Sequence, residues 1–323
     1  MDRITLGGTD LEVSRLCMGT MTFGGQADEA GSKAMWDTCL EVGINFFDTA
    51  NVYTKGRSEE IIGRLMKGGK RADIVLATKV GSQQEDDTTP LSRASIHRHI
   101  DASLQRLQTD YVDLYYMHKP DYETPIEESL EAMAMLVQAG KVRYVASSNA
   151  ASWQIARMHW LADRKTELPK VTVSQPMYNL IARSMEPEFV PMCRDLGVST
   201  VVYNPLAGGL LTGKHRREVV EEGGRFDVQK NYVDRYWNNS NFDVVAELAQ
   251  ACQQADRSLV STAFGWLLHH STASAIIIGA SKVEQLEENL HAVEEGGELN
   301  SELLAACERA WDGVRGAHHQ YNR

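Results

Sequence analysis

Short apolar runs alternate with amphipathic segments along most of the chain, at a spacing of about 30 residues. Each apolar run ends at small or polar residues, as buried parallel strands do. Parallel strands need a crossover between them, and the amphipathic segments supply helices for it. Eight strands are predicted, at Leu16–Met18, Phe46–Asp48, Ile74–Thr78, Leu114–Met117, Val142–Ser147, Val171–Gln175, Thr200–Tyr203 and Ala275–Ile278.

The amphipathic segments predict helices at 32–41, 59–66, 92–107, 125–138, 152–161, 187–196 and, with a break, 242–270. Serine is a good N-cap and glycine a good helix terminator. Ser58 and Ser92 are therefore predicted N-caps, and Gly43, Gly140 and Gly197 are predicted to end helices. Before the repeat, two alternating runs flank the turn residues 7–10, which predicts a β-hairpin over residues 1–14.

Eight strand–helix units without a linker favour one (β/α)8 TIM barrel domain over residues 1–323, in preference to two doubly wound halves. Residues 212–241 are polar, charged and glycine-containing, and they predict a long loop after strand seven. Long loops inside compact domains are usually functional or disordered, and barrels commonly bind phosphate after that strand. Residues 313–323 are predicted to form a tail.

Composition narrows the class of protein. A net charge of −11 over 323 residues argues against nucleic acid or an anionic membrane as the partner. The five cysteines are scattered, with no C-x-x-C pair that would indicate a zinc or redox site, and they predict a reducing compartment. The chain shows no signal peptide and no apolar run of membrane-spanning length. We therefore expect a cytoplasmic protein without a metal.

Four ionisable residues of four types follow consecutive predicted strands. They are Asp48 and Tyr53 after strand two, Lys79 after strand three and His118 after strand four. Alone, a lysine or a histidine after a strand is usually a turn residue or a hydrogen-bonded structural residue. Together they favour a functional site, because the carboxyl ends of barrel strands meet at one face.

The chemistry of such a site follows from its protons. A phenol with an ordinary pKa of about 10 exchanges protons near neutral pH only if a positive charge stabilises its anion. Lys79 would supply that charge, Asp48 would keep the ammonium ionised, and His118 would orient a carbonyl oxygen or share the proton of Tyr53. This set polarises a carbonyl group but contains no nucleophile, so hydride from a nicotinamide is the natural attacking species.

The chain also carries longer motifs, and one of them includes Asp48 and Tyr53. The motifs are Gly19-Thr20-Met21-Thr22-Phe23-Gly24-Gly25, then Phe47-Asp48-Thr49-Ala50 with Tyr53 and Ser58-Glu59, then Gly279-Ala280-Ser281 and Gln285-Leu286-x-Glu288-Asn289. In order and spacing the chain resembles the aldo-keto reductases over about residues 1–312, especially bacterial enzymes similar to the β-subunits of voltage-gated potassium channels. The resemblance implies a catalytic tetrad of Asp48, Tyr53, Lys79 and His118, with Tyr53 as the general acid in carbonyl reduction.

The resemblance also implies a cofactor, NADPH in preference to NADH. The loop 212–241 would cover it, Ser148, Asn149 and Gln175 would hold the nicotinamide amide, and Tyr203 would stack on the ring. A glycine-rich segment would bind the pyrophosphate, and the start of the last βα unit would bind the adenosine end and its 2′-phosphate. The full implied set is Gly19, Thr20, Met21, Asp48, Ser148, Asn149, Gln175, Tyr203, Asn204, Leu206, Ala207, Gly209, Lys214, Arg225, Gly279, Ser281, Lys282, Gln285, Glu288 and Asn289.

Loops would form the substrate pocket, from Phe23, Tyr53, His118, Lys119, Asp121, Tyr122 and Trp237. Lys119 stands where similar enzymes often carry tryptophan, and Ile278 where many carry proline. An extra cation at the pocket mouth favours a polar or anionic carbonyl substrate, such as a sugar aldehyde. The identity of the substrate and the oligomeric state are not predicted.

Other functions fit the residues less well. A cofactor-binding regulatory subunit or redox sensor remains the main alternative, although the complete tetrad argues against it. The G-x-x-x-x-G-K pattern of 208–214 continues with His215, where a nucleotide hydrolase needs Ser or Thr for magnesium. A sugar isomerase would need paired carboxylates and a metal, which are not found at the strand ends.

Overall fold

The computed structural model describes residues 1–68, 70–82 and 89–316. Over these residues, no helix has the length and apolar character needed to cross a membrane. The chain divides into two compact units. The first contains residues 1–176, 187–202 and 274–286, and the second contains 177–186, 203–273 and the residues from 287 onward. The single domain over 1–323 therefore stays a prediction.

The first unit begins with the predicted hairpin, an antiparallel pair of β1 (Arg3–Thr5) and β2 (Glu12–Ser14) in which Ile4 lies opposite Val13. Eight parallel strands then close into a barrel in the order β10-β3-β4-β5-β6-β7-β8-β9. They are β3 (Leu16–Gly19), β4 (Phe46–Asp48), β5 (Val75–Val80), β6 (Val112–Met117), β7 (Val142–Ser148), β8 (Val173–Gln175), β9 (Ser199–Val202) and β10 (Ala275–Gly279). The (β/α)8 barrel prediction is confirmed.

Among the described residues of this unit, six α-helices lie between the strands. They are α1 (Glu29–Glu41), α2 (Arg57–Leu65), α3 (Arg93–Leu107), α4 (Ile126–Gln138), α5 (Ser152–Arg164) and α6 (Phe189–Leu196). The rings of Trp36 on α1 and Phe47 on β4 stack at 4.0 Å, so Phe47 points from the sheet towards the helices. Because side chains alternate along a strand, Phe46 and Asp48 point to the other side, into the barrel.

The second unit is helical. It contains a 3-10 segment (Ala207–Thr212), α7 (Arg225–Val228), α8 (Lys230–Tyr236), α9 (Asn239–Gln254), α10 (Leu259–Gly265), a π-helical turn (Trp266–His270) and α12 (Ser301–Arg315). Helix α11 (Val283–Gly296) begins in the first unit and continues into the second. In the predicted loop 212–241, α7 and α8 therefore form two short helices. The predicted 313–323 tail is partly wrong, since α12 runs to Arg315, and residues 317–323 lie outside the described part of the chain.

Most predicted helix boundaries agree with the structure to within a few residues. Ser92 accepts a hydrogen bond from the backbone N–H of Ser95 as an N-cap, and Gly43, Gly140 and Gly197 follow or cap helix ends with positive φ. The N-cap prediction for Ser58 is wrong, because α2 begins at Arg57 with Gly56 as its cap. The side chain of Ser58 is instead buried in a cluster of hydroxyl groups.

Candidate active site

The ammonium group of Lys79 is the centre of the site, at the carboxyl end of the barrel in the first unit. It is fully buried and donates three hydrogen bonds, to the Asp48 carboxylate, to the Thr49 carbonyl at 2.8 Å and to the Tyr53 hydroxyl at 3.1 Å. The strand register explains this meeting, because β4 and β5 pair with Asp48 opposite Ala77, two residues before Lys79. A cation predicted at one strand end is thus in direct contact with a carboxylate and a phenol predicted at the neighbouring strand end.

The electrostatics of the pair favour a charged Lys79. Burial alone would lower the pKa of this ammonium, but the Asp48 carboxylate and the Tyr53 phenol outweigh it and raise the pKa. Burial raises the pKa of Asp48, while Lys79 and a hydrogen bond from Gln175 act in the opposite direction. A cation that keeps its proton beside a phenol oxygen stabilises the phenolate form.

His118 follows β6 and faces the same phenol. Its ring and that of Tyr53 lie edge to face, with centroids 6.0 Å apart. Burial and the nearby ammonium groups of Lys79 and Lys119 hold the pKa of His118 well below its ordinary value. The imidazole is therefore neutral near neutral pH, with one nitrogen as a donor and the other as an acceptor.

The turn after Tyr53 holds the phenol in place with an unusual backbone. Thr54 and Lys55 adopt left-handed conformations, with φ of 47° and 59°, which cost most side chains about 1 kcal/mol each. The Thr54 hydroxyl donates to the Phe23 carbonyl at 2.8 Å and accepts the Ser58 backbone N–H at 3.1 Å. Ser58, in turn, bonds to the hydroxyls of Thr20 and Thr49 at 2.9 Å each. This hydroxyl cluster fixes the Asp48–Tyr53 loop against α2.

Three polar residues at the ends of β7 and β8 lie beside the tetrad. The register places Ser148 opposite Gln175, and the Ser148 hydroxyl donates to the Gln175 carbonyl at 2.8 Å. The Gln175 amide donates to Asp48 at 2.9 Å, on the carboxylate oxygen that Lys79 does not contact. Asn149, with a φ of 57°, donates to the His118 carbonyl at 2.9 Å. Residues predicted to hold a nicotinamide amide are therefore bonded directly to predicted catalytic residues.

The other residues of the first unit that were predicted to bind the cofactor differ in their hydrogen bonds and in their exposure. Thr20 donates to the Asp48 carbonyl at 2.9 Å, and the Gln285 amide oxygen accepts from both the backbone and the hydroxyl of Ser281 at 3.0 Å, next to the start of α11. Lys282 is exposed. Gly19 and Gly279 end the neighbouring strands β3 and β10 and lie opposite each other, and Met21 follows in the next loop.

The residues of this unit that were predicted to line the substrate pocket also differ in exposure and in hydrogen bonding. Lys119 and Tyr122 are exposed, whereas Phe23 is fully buried. The Asp121 carboxylate accepts the backbone N–H groups of Leu91, Glu123 and Thr124 and the Thr124 hydroxyl, so its oxygens already hold the loop together. Its contact with substrate stays a prediction.

In the second unit, the segment after Tyr203 turns sharply. Asn204, Ala207, Gly208 and Gly209 all have positive φ. A Cβ atom on Gly208 would lie 2.6 Å from the Tyr232 ring, so only glycine fits there. Leu206 lies in the same turn, Lys214 is exposed, and Arg225 lies over the Tyr232 ring at 5.3 Å. Glu288 is exposed on α11 and Asn289 follows it.

Trp237, predicted to line the substrate pocket, belongs to an aromatic cluster in this unit. Its ring lies edge to face with the rings of His215, Phe226 and Phe242, with centroids 4.9–5.9 Å apart. Its indole N–H donates to the Arg217 carbonyl at 3.2 Å. The cluster gives the segment 212–241 a small core of its own.

Two contacts near the predicted site residues were not predicted from the sequence. Ser82 lies 2.9 Å from the Nδ1 atom of His118, and no sequence pattern indicated that contact. Glu59, fully buried, accepts from Thr78 at 2.6 Å and pairs with Arg106. Glu59 was recognised only as part of the Ser58-Glu59 motif at the start of a helix, and no pattern indicated its buried ion pair.

A closed parallel barrel with a buried ion pair and a phenol at the carboxyl ends of its strands defines an enzyme-like site of the TIM barrel class. Among the described residues no cluster of His, Cys, Asp and Glu is suited to a metal ion. Residues 15–312 match the model of the aldo/keto reductase family, and the chain belongs to that family. The resemblance inferred from the motifs is confirmed, and with it the broad class of oxidoreductase.

Relatives from bacteria, mammals and plants cover most of the chain. It is 37% identical to "Uncharacterized oxidoreductase YrpG" from Bacillus subtilis (strain 168), over 98% of each chain. It is 38% identical to "Aflatoxin B1 aldehyde reductase member 2" from Rattus norvegicus, over 92% of this chain and 84% of the relative. It is 36% identical to "Probable voltage-gated potassium channel subunit beta" from Oryza sativa subsp. japonica, over 90% of each chain.

Proposed function

We propose that this protein reduces a small aldehyde or ketone to the alcohol with NADPH, and that Tyr53 donates the proton. The contact that supports this most directly is the 3.1 Å hydrogen bond from the Lys79 ammonium to the Tyr53 hydroxyl. In that bond the phenol oxygen accepts, so Tyr53 retains its own proton for transfer to a carbonyl oxygen. Lys79 then stabilises the phenolate left behind, and water returns the proton.

A bound reduced nicotinamide supplies hydride to the carbonyl carbon in this reaction. The donor set of the first unit fits its amide group, since hydroxyl and amide groups of Ser148, Asn149 and Gln175 converge beside Asp48. The turn at 207–209 in the second unit stays the predicted phosphate-binding segment, because Gly208 and Gly209 carry no side chains that would keep an anion away from the backbone. We propose that Ser281 and Lys282 favour NADPH over NADH through the 2′-phosphate.

His118 would orient the substrate. A neutral imidazole donates one hydrogen bond to the carbonyl oxygen without competing for the proton of Tyr53. Lys119, which follows this residue in the chain, and Tyr122 are exposed, and we propose that they favour a polar substrate such as a sugar aldehyde. All five cysteines are buried free thiols, in keeping with our proposal of a reducing, cytoplasmic environment.

The substitution Tyr53→Phe tests the proposal. We expect kcat to fall by at least about 10², the usual contribution of a general acid, with little change in the affinity for NADPH. Turnover is followed by the absorbance of the reduced cofactor with a panel of aldehydes, and affinity by cofactor fluorescence. Tyr144→Phe is the matched control, because it removes a phenol that bonds to Asp10 in the hairpin turn. Unchanged turnover in Tyr53→Phe would contradict the proposal.

A second function has one observation in its favour, the 36% identity to a probable potassium channel β-subunit. By analogy, the protein would bind the cofactor and act as a regulatory subunit or redox sensor with little turnover. The same assay separates the two functions. Cofactor binding without reduction of any aldehyde or ketone in the panel would favour the sensor, whereas turnover that depends on Tyr53 favours the reductase.

A further inference from the structure

His118 has a contact that the proposed mechanism does not use. Its Nδ1 atom lies 2.9 Å from the hydroxyl oxygen of Ser82. Ser82 is half-buried and comes two residues after the end of β5, whereas His118 comes directly after β6. The imidazole therefore has one nitrogen engaged by the protein, which leaves the other for a substrate.

The backbone delivers Ser82 to this place. Val80 ends β5, and its carbonyl accepts the backbone N–H of His118 at 2.6 Å, so the two strand ends stay joined beyond the regular sheet. Gly81 then turns the chain with a φ of +102°, and a Cβ atom there would lie 2.6 Å from the Leu91 side chain. No other residue fits this turn without strain. The turn thus brings Ser82 beside the imidazole of His118.

The charges around the ring determine its protonation. Lys79 and Lys119 are the charged groups that act on His118, and both disfavour an imidazolium. In the neutral ring one nitrogen carries the proton and the other accepts. If Nδ1 accepts from the Ser82 hydroxyl, Nε2 carries the proton and offers a donor. If Nδ1 carries it, Nε2 presents a lone pair, which repels a carbonyl oxygen and competes for the Tyr53 proton.

We propose that Ser82 is a positioning residue whose hydroxyl donates a hydrogen bond to Nδ1 and so holds His118 in the tautomer protonated at Nε2. The ring then presents an N–H donor to the carbonyl oxygen that receives hydride. This inference rests on the proposed function for its purpose, but the tautomer itself is a property of the cofactor-free protein. A hydroxyl of Ser or Thr suffices at this position, and an aliphatic side chain does not.

The direct test is the tautomer. Histidine labelled with 15N is introduced into the cofactor-free protein, and long-range proton–nitrogen spectra are recorded at neutral pH. His118 is assigned among the ten histidines by loss of its signals in His118→Gln. We expect Nδ1 to resonate as a non-protonated, hydrogen-bonded nitrogen and Nε2 as a protonated one. In Ser82→Ala the two signals should move towards each other as the tautomers mix, and Ser82→Thr should restore the native pattern.

The same variants carry a kinetic expectation. Ser82→Ala should lower kcat by about 10-fold, less than the loss of a general acid, and should leave the affinity for NADPH unchanged. Ser82→Thr should lie within about 2-fold of the native kcat, because it keeps the hydroxyl. Ser92→Ala is the matched control. It makes the same change ten residues along the chain and removes the N-cap of α3, so it loses stability without moving the His118 signals.

Three outcomes would overturn the inference. They are a proton on Nδ1 in the native protein, unchanged His118 signals in Ser82→Ala, and a 10-fold loss of kcat that Ser82→Thr does not rescue. Failure of the proposed function looks different. In that case the native protein reduces no carbonyl compound, while the spectra still report whether Ser82 sets the tautomer.

Discussion

The two ends of the barrel each bury a carboxylate against a cation, and they use the pair differently. At the carboxyl end, Asp48 is 2% exposed and pairs with Lys79, which also contacts the Tyr53 phenol. At the amino end, Asp113 is 1% exposed and accepts hydrogen bonds from Arg71 and Arg143, both at 2.8 Å. Both pairs need good geometry, because removing either partner leaves a buried charge uncompensated.

The partners of each carboxylate account for the difference. Asp113 bonds to two guanidinium groups and to the Leu76 backbone N–H, none of which exchanges a proton near neutral pH. Arg143 also bonds to Asp10 in the hairpin turn, so this network ties strands and hairpin together. At the other end, the cation is an ammonium in contact with a phenol that can lose its proton. One ion pair serves stability, and we propose that the other serves proton transfer.

The substitution Lys79→Met should show the largest difference in effect between the two ends of the barrel. It removes the charge that stabilises the Tyr53 phenolate, so we expect kcat to fall by about 10³. The measurement is the steady-state rate of reduction with saturating NADPH and aldehyde. Arg71→Met at the amino end is the matched control, because it also removes one cation from a buried carboxylate and should leave kcat within about 2-fold.

Loss of stability must be separated from loss of chemistry in this variant. Lys79→Met leaves the Asp48 carboxylate buried without its cation, which should lower the free energy of unfolding. Combining it with Asp48→Leu removes the orphaned charge and should restore stability towards the native value, with turnover still lost. Recovery of turnover in the double variant, or a fall of less than 10-fold in the single one, would contradict the role of Lys79.

The substitution Asp113→Ala should have the opposite profile. It leaves two guanidinium groups and a backbone N–H without their acceptor, and we expect the free energy of unfolding to fall by about 3 kcal/mol. At temperatures where the variant is folded, kcat should be unchanged. Urea denaturation measures the first quantity and the NADPH assay the second. Asp101→Ala, which removes an exposed pair with Lys141, should cost less than about 1 kcal/mol. Equal losses in the two variants would contradict the assigned role of Asp113.

The two ends also differ in how many of their side-chain contacts can be predicted from the sequence. The contact between Lys79 and Tyr53 follows from local patterns, because each residue comes at or just after the end of an apolar run and parallel strand ends converge. An aspartate inside the apolar run Val112–Met117 was visible too. Its partners Arg71 and Arg143 are 42 and 30 residues away, and only the strand register and the hairpin position select them.

Other misses had physical causes of the same kind. Ser58 is a good capping residue by type, but the left-handed turn before it moves the helix start to Arg57 and leaves its hydroxyl in the interior. The contact of Ser82 with His118 depends on the turn at Gly81, which no local pattern encodes. Helix α12 was not predicted, although the sequence carries a signal for it: Leu303, Ala306, Cys307 and Ala310 form a buried stripe at helical spacing after the N-cap Asn300.

The dependence of the free energy of unfolding on pH should also distinguish the two ends, with a smaller effect. His118 at the carboxyl end has a pKa held well below its ordinary value of 6.5 by burial and by Lys79 and Lys119, whereas the amino-end network has arginines. Below about pH 6.5 the unfolded chain binds a proton at this histidine that the folded protein does not bind. Acidification therefore favours unfolding, by up to about 1.4 kcal/mol for each pH unit until the folded pKa is reached.

His118→Gln should remove this contribution, so that its stability relative to the native protein rises by about 1 kcal/mol between pH 7.5 and about pH 5.5. Urea denaturation at several pH values between these limits measures the slope. His159, whose pKa burial also lowers, keeps its own share of acid sensitivity in both proteins, so the difference between them isolates His118. Arg143→Met should lower stability by the same amount at every pH, since its guanidinium does not titrate in this range.

Parallel pH curves for His118→Gln and the native protein would mean that His118 takes up a proton as readily in the folded protein as in the unfolded chain. The carboxyl end would then lack the neutral imidazole that distinguishes it from the amino end.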